Sequence, residues 1–363
     1  MAADGQGARS LEDLQALGLV GPDVPDALRR VAARYAVAVT PGLVTAMRDG
    51  DPDGALRRQY LPAAEELTET AAELADPIGD AAHSPVPGIV HRYDDRVLLN
   101  VLKTCAVYCR FCFRREMVGP GARGLDAEGL ARALAYIRAH EEVWEVILSG
   151  GDPLTLSPRR IDAILSELAR IGHVGVVRFH TRVPAVAPER VTPDLIAALR
   201  RFPAVFVVLH ANHPDEITPA VGAAIARLVD AGIPMLSQSV LLRGVNDDAA
   251  VLARLFKTLV RNRVKPYYLH HADLARGTGH FRTTLAEGQA IVEALRAGHS
   301  GLCQPQYVLD LPGGAGKIPV AASPVRPKGA GRYALRDRRG VWHDYTDGAA
   351  EGATGTDAPD PPL

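Results

Sequence analysis

Apolar residues follow two rhythms along this chain. Between residues 10 and 80 they recur every three or four positions, as in Leu11-Glu-Asp-Leu-Gln-Ala-Leu17 and Asp26-Ala-Leu-Arg-Arg-Val-Ala-Ala-Arg-Tyr35, the spacing of helices that bury one face. Pro41-Gly42 and Asp51-Pro-Asp-Gly54 punctuate that region. From Arg96 onward short β-branched runs alternate with longer helical patterns, which predicts repeated βα units and a parallel sheet. The expected strands are 97–102, 143–148, 174–180, 205–210, 234–241 and 266–270. Helices are expected at 127–139, 159–170, 193–201, 218–231, 248–263 and 285–297. Six units predict an α/β fold, a partial (βα)6 barrel of the TIM type, with polar motifs at the C-terminal ends of its strands, where such barrels keep their chemistry. The resulting division is a helical region over 1–80, the barrel over 81–300 and a further segment over 301–344. Residues 345–363, rich in Gly, Pro and Asp, are expected to form a disordered tail.

Charge removes several classes of function. The 41 Lys and Arg nearly balance the 42 Asp and Glu, so no overall field favours nucleic acid or an anionic membrane. The N-terminus lacks a basic segment followed by an apolar one, and no apolar run is long enough to span a bilayer.

Chemistry enters with cysteine. Three of the four cysteines stand in Cys105-Ala-Val-Tyr-Cys109-Arg-Phe-Cys112, directly after the first strand. Thiolates at this spacing can hold three irons of a [4Fe–4S] cluster and leave the fourth iron open to a small molecule. The competing reading is a zinc knot, which would want a fourth Cys or His close by, and the next cysteine is Cys303. No disulfide framework can be built, and an oxygen-sensitive cluster needs a reducing compartment, so a cytoplasmic location is expected. After the second strand comes Ser149-Gly150-Gly151-Asp152, whose paired glycines let backbone approach a neighbour that a Cβ would exclude. The third motif is Asp310-Leu-Pro-Gly-Gly-Ala-Gly-Lys317. It lacks the spacing and the Ser or Thr of a phosphate-binding P-loop. A lysine on such a loop can instead form a Schiff base with pyridoxal phosphate (PLP).

These segments occur together with Ser84 through Arg96, Arg114-Arg115, the stretch from His210 to Thr218, Gln238 through Asp247, Tyr267-Tyr-Leu through Asp273, and Gly279-His-Phe-Arg282. In that order they resemble the lysine 2,3-aminomutase family, from about residue 75 to 325. The resemblance implies a radical enzyme that uses a [4Fe–4S] cluster on Cys105, Cys109 and Cys112 to cleave S-adenosylmethionine (SAM) to a 5′-deoxyadenosyl radical. It implies PLP on Lys317, the catalytic lysine, with Arg92, Tyr93 and Arg96 holding PLP and its phosphate. Ser149, Gly150, Gly151, Asp152, His210 and Gln238 would contact SAM. Arg114 would take the substrate carboxylate, and Asp273 and Asp310 the ε-ammonium of L-lysine. The family further implies an electron donor such as flavodoxin or ferredoxin and a homo-oligomer, with no nucleic acid or membrane partner. Longer members carry a C-terminal cysteine cluster for zinc; this chain has no cysteine after Cys303, so no zinc site is expected. Cys112-Phe-Arg-Arg115 and the short C-terminus are also similar to the branch that makes (R)-β-lysine for modifying elongation factor P, and another cationic amino acid such as arginine remains an alternative substrate.

Overall fold

The computed structural model describes residues 5–50, 54–119 and 121–347. Four short helices come first: α1 (Leu11–Ala16), α2 (Asp26–Arg34), α3 (Pro41–Asp49) and α4 (Ala55–Tyr60). A hairpin of β1 (Ile89–Tyr93) and β2 (Arg96–Leu102) leads into the alternating region. There α5 (Ala127–Ala139), β3 (Glu145–Gly150), α6 (Pro158–Leu168), β4 (Val176–Thr181), the single turn α7 (Val183–Val186) and α8 (Pro193–Leu199) follow in order. Next come β5 (Val205–His210), α9 (Pro219–Asp230), β6 (Met235–Leu241), α10 (Ala249–Arg261), β7 (Val264–His271) and α11 (Leu285–Gly298). The barrel is completed by β8 (Gln306–Leu311) and β9 (Gly316–Pro319), and a separate antiparallel sheet of β10 (Val325–Pro327), β11 (Arg332–Arg336) and β12 (Trp342–Thr346) ends the described chain.

The crossover helices start where local chemistry says they should. Ser157-Pro158, Thr192-Pro193 and Thr218-Pro219 each place a hydroxyl that accepts from a backbone N–H three residues on, ahead of a proline whose missing N–H costs nothing there. One face of each then buries, as in α10, where Leu252, Leu255, Phe256 and Leu259 are all shielded. Their partners are strands with buried β-branched residues such as Val146, Val177 and Val207.

The nine strands β1 to β9 form one sheet in chain order, with β2 to β8 all parallel. This is a nearly closed α/β barrel with one unsealed seam. All six expected strands form, and β8 adds a seventh parallel one after α11. The two edge strands, β1 and β9, run antiparallel to their neighbours and flank the seam. One apolar core runs from Ala8 in the N-terminal segment through the barrel to Tyr307. Of the expected tail, Tyr345 and Thr346 end β12, and residues 348–363 lie outside the described residues. Among the described residues no helix is long and apolar enough to cross a membrane.

Candidate functional site

The C-terminal ends of the strands open into a cavity of about 1370 Å³, and every site residue expected from the sequence lines it. Three groups can be distinguished around its wall.

The first is the cysteine loop. Cys112 donates its backbone N–H to the Cys109 carbonyl (3.1 Å), so the last two cysteines lie on one tight turn. Burial pushes all three thiols up, Cys112 to about 11. Neutral thiols are what a buried trio without a metal must be; binding iron is what would stabilise their thiolates. Among the described residues no three His, Cys, Asp or Glu side chains are grouped as a single ion would need. The spacing of Cys105, Cys109 and Cys112 suits a cubane, whose irons sit at separate corners. The loop is pinned from below by charge. Arg110, fully buried, makes a forked pair with Glu66 (2.9 and 2.6 Å), and Arg115 closes on the same carboxylate. Arg182 donates to Cys109 Sγ (3.4 Å) while a second donor engages Gln59 (2.8 Å) and Glu216 (2.5 Å).

The second group follows β3. Gly150 has φ +102° and a Cβ there would lie 2.6 Å from the Leu102 carbonyl; at Gly151 it would overlap the Thr104 carbonyl. What these glycines admit is the backbone leading to Cys105, held by Gly151 N–H to Leu102 O (2.7 Å) and Asp152 N–H to Thr104 O (2.9 Å). Asp152 reaches the wall, but its carboxylate accepts from the Thr181 hydroxyl (2.6 Å) and the N–H groups of Leu154, Arg182 and Val183. Its side chain is spent on holding the start of α7. Ser149 accepts from Arg114 (3.1 Å). His210 bonds Asn212 (3.2 Å) and leans on the Phe111 ring of the cysteine loop, and burial keeps it neutral. Gln238 sits beside it, one strand over.

The third group surrounds Lys317, the second residue of β9. Its ammonium pairs with Asp310 across the β8–β9 ladder and lies 3.2 Å from His270 Nδ1, with the Tyr268 ring 5.3 Å away. Burial would raise Asp310, but a hydrogen bond from His270 and the Lys317 charge hold it well below the usual carboxylate range. Asp273 behaves oppositely. Burial, and then the neighbouring Asp310 charge, push its carboxyl up to about 7, and its Oδ1 is buried with no partner. The pair is short of one cation.

Anion-binding groups complete this end. Arg92 donates to Asp80 (3.0 Å) and to the Ile78 carbonyl (2.7 Å), leaving its buried Nε unpaired. Arg114 takes the other oxygen of Asp80 through two donors (2.8 and 3.0 Å). The two guanidinium groups are thus one carboxylate apart. Arg96 pairs with Asp95 (2.6 Å) and stacks 3.9 Å over Tyr93, whose hydroxyl accepts the Lys317 backbone N–H (2.8 Å). The residues fit their expected cofactors: an amine, unsatisfied guanidinium donors and a partnerless carboxylate converge on one wall, and three thiols on the other.

Sequence reasoning missed Asp80, Glu66, Arg182 and His270. Nothing local marks Asp80 or Glu66. His270 is the next-to-last residue of β7, three before Asp273, at the strand end where a polar side chain lines the cavity.

Comparison with known proteins follows the same division. Residues 99–256 match the model of the radical SAM superfamily, and residues 292–358 the model described as lysine-2,3-aminomutase. The L-lysine 2,3-aminomutase of Clostridium subterminale is 42% identical over 311 residues, 86% of this chain and 75% of the relative. That of Acetoanaerobium sticklandii is 39% identical over 93% of this chain and 82% of its own length. The glutamate 2,3-aminomutase of Clostridioides difficile is 34% identical over 86% of this chain and 74% of its own. Among solved structures, a radical SAM methyltransferase from Sphaerobacter thermophilus aligns with TM-score 0.42 and 22% identity, over 61% of this chain and 68% of that one.

Proposed function

This chain belongs to the lysine 2,3-aminomutase family of radical SAM enzymes, and on that premise we propose that it moves the α-amino group of L-lysine to the β-carbon, giving L-β-lysine, with PLP carried by Lys317. Relatives that act on lysine and on glutamate are both similar to this chain, so overall likeness does not choose the substrate. The observation that carries the choice is the pair Asp273 and Asp310: burial, and then the charge of Asp310, push the Asp273 carboxyl up to about 7, and Lys317 is the cation paired with Asp310. When the Lys317 amine is engaged by a cofactor, the pair needs another cation to stay ionised, and the side chain of lysine brings one. An acidic substrate would meet two like charges there.

The remaining residues have matching roles. When bound, PLP supplies a π system that accepts a migrating radical, and SAM on the cluster supplies the radical itself. Arg114, held flat by Asp80, presents a fork to the substrate carboxylate, and Arg92, braced by the same acid, presents its free Nε to the phosphate. Tyr93 fixes the backbone of Lys317, and His270, beside both the lysine Nζ and Asp310, orients that pair. His210 and Gln238 line the stretch between thiols and lysine. The enclosing barrel keeps water from the reacting atoms. A reducing compartment follows from the cluster.

The test compares L-lysine with an amino acid of similar length lacking the side-chain cation, in the iron-, SAM- and PLP-loaded protein. Lysine should yield β-lysine and the uncharged analogue very little. Asp310→Asn breaks a desolvated charge contact, about 2 to 5 kcal/mol, so kcat/KM for lysine should fall roughly 30-fold or more. Equal turnover of the uncharged analogue by the wild type would defeat the substrate assignment, and recovery of a borohydride-fixed pyridoxyl group on a lysine other than Lys317 would defeat the cofactor assignment.

A further inference from the structure

A second, smaller pocket of about 400 Å³ lies on the outer face of the cysteine loop, lined by Lys103, Thr104, Arg123, Leu125, Thr155 and Arg160 among others. Thr104 lines both this pocket and the main cavity, and Cys105 is the next residue. The backbone at Thr104, to which Asp152 N–H is hydrogen bonded, is thus shared by the pocket and the cavity that holds the thiols. The rim is basic. Lys103, Arg123 and Arg160 are exposed, and a fourth cation, Arg190, reaches the rim through its bond to the Thr155 carbonyl (2.8 Å). Arg160 is positioned by the Leu125 carbonyl (2.7 Å). Among the described residues that line the pocket Asp126 is the one acid, and it caps α5 through Gly129 N–H (2.7 Å). This local excess contrasts with a chain whose formal net charge is −1.

We propose that this pocket is where an acidic one-electron carrier protein docks to reduce the cluster. The proposal rests on the cluster reading given above and adds the surface through which it is served. The step is balanced simply: the reduced carrier gives up one electron, the cluster gains one, and no bond or proton moves. Clustered cations on the rim would steer a carrier of negative charge, and the shared Thr104, next to Cys105, would bring its redox centre close to the thiol loop.

The experiment follows cluster absorbance anaerobically in the reconstituted full chain. The reductants are a reduced flavodoxin of net negative charge and, separately, photoreduced deazaflavin, a small molecule that needs no docking. Arg123→Glu combined with Arg160→Glu should slow reduction by flavodoxin about tenfold or more at low salt, leave reduction by deazaflavin within about twofold, and lose most of its effect at high salt. Arg200→Glu, just past α8, makes a change of the same sign and half the size away from the pocket and should leave both rates near wild type. An unchanged flavodoxin rate in the double variant, or an equal fall in Arg200→Glu, overturns the docking site and leaves the cluster intact. A protein that takes up no iron overturns the cluster reading and this proposal together.

Discussion

Asp273 shows what one carboxyl tells about a site. Unfolded, it has the ordinary value of 3.8; folded, burial and the Asp310 charge outweigh Lys317 and Arg114 and push it up to about 7. Between those values the folded protein holds a proton that the unfolded chain has lost, so this group's contribution to stability declines as pH rises through that window. Asp273→Asn removes the effect. In denaturant titrations without substrate the variant should be close to wild type near pH 4 and more stable by about 1 to 3 kcal/mol at pH 8, the figure being discounted for coupling to Asp310. A constant difference at all pH values would show that Asp273 is already ionised and paired. Lysine binding should strengthen as pH rises through about 7, because only the ionised pair attracts a cation. The residues of this wall were legible in the sequence because each bore a motif: Lys317 in a glycine loop, Asp310 at its head, Arg92 and Arg96 in one segment. Asp80 was not. Its role, bracing Arg92 and Arg114 at once, exists only because the chain before β1 folds back over the barrel mouth.

At the level of elements, the helices and strands were the most readable part. Helical periodicity in the sequence puts α5 at Ala127–Ala139 and a β-branched run puts β5 at Val205–His210, and the structure has both within those bounds. The strands that moved did so at apolar lead-ins: Val143 is buried before β3 begins, yet Trp144 N–H turns to the Asp95 carbonyl and the ladder starts only at Glu145. β8 and β9 were not drawn because the glycine loop joining them read as a binding motif, and it is also a hairpin connection. The glycines after β3 make a prediction of this scale. Gly151→Ala forces a methyl against the Thr104 carbonyl, and the strand end and the cysteine loop must separate. Reconstituted iron content should fall well below wild type while far-ultraviolet circular dichroism stays near it, with stability lower by about 1 to 3 kcal/mol. Full iron loading would mean that the loop does not depend on this contact.

Over the whole molecule, the N-terminal helices and the barrel are joined by buried charge as well as by core. Glu66 receives Arg110 and Arg115 from the cysteine loop, and Glu216, beyond β5, receives Arg182 together with Gln59 and Tyr60 from α4. Glu66→Ala leaves two guanidinium groups without their counter-charge at sites that exclude water. Stability should drop by about 3 to 5 kcal/mol, read as a lowered denaturant midpoint with loss of iron in parallel. A small change would indicate that water reaches Arg110.

The seam has a further consequence, one of timing. Tyr93 on one edge strand and Lys317 on the other meet through a hydrogen bond spanning 224 positions of chain. Synthesis delivers the three thiols early, and the strand that carries the amine emerges only after every intervening βα unit. The loop-closure entropy of such a distant contact makes it a late one. A nascent chain can thus gather iron ligands long before it can bring the lysine to the mouth of the barrel, and the radical-generating half is born without the half that would receive its product. Addition of β9 to the sheet is also what completes the wall of the cavity.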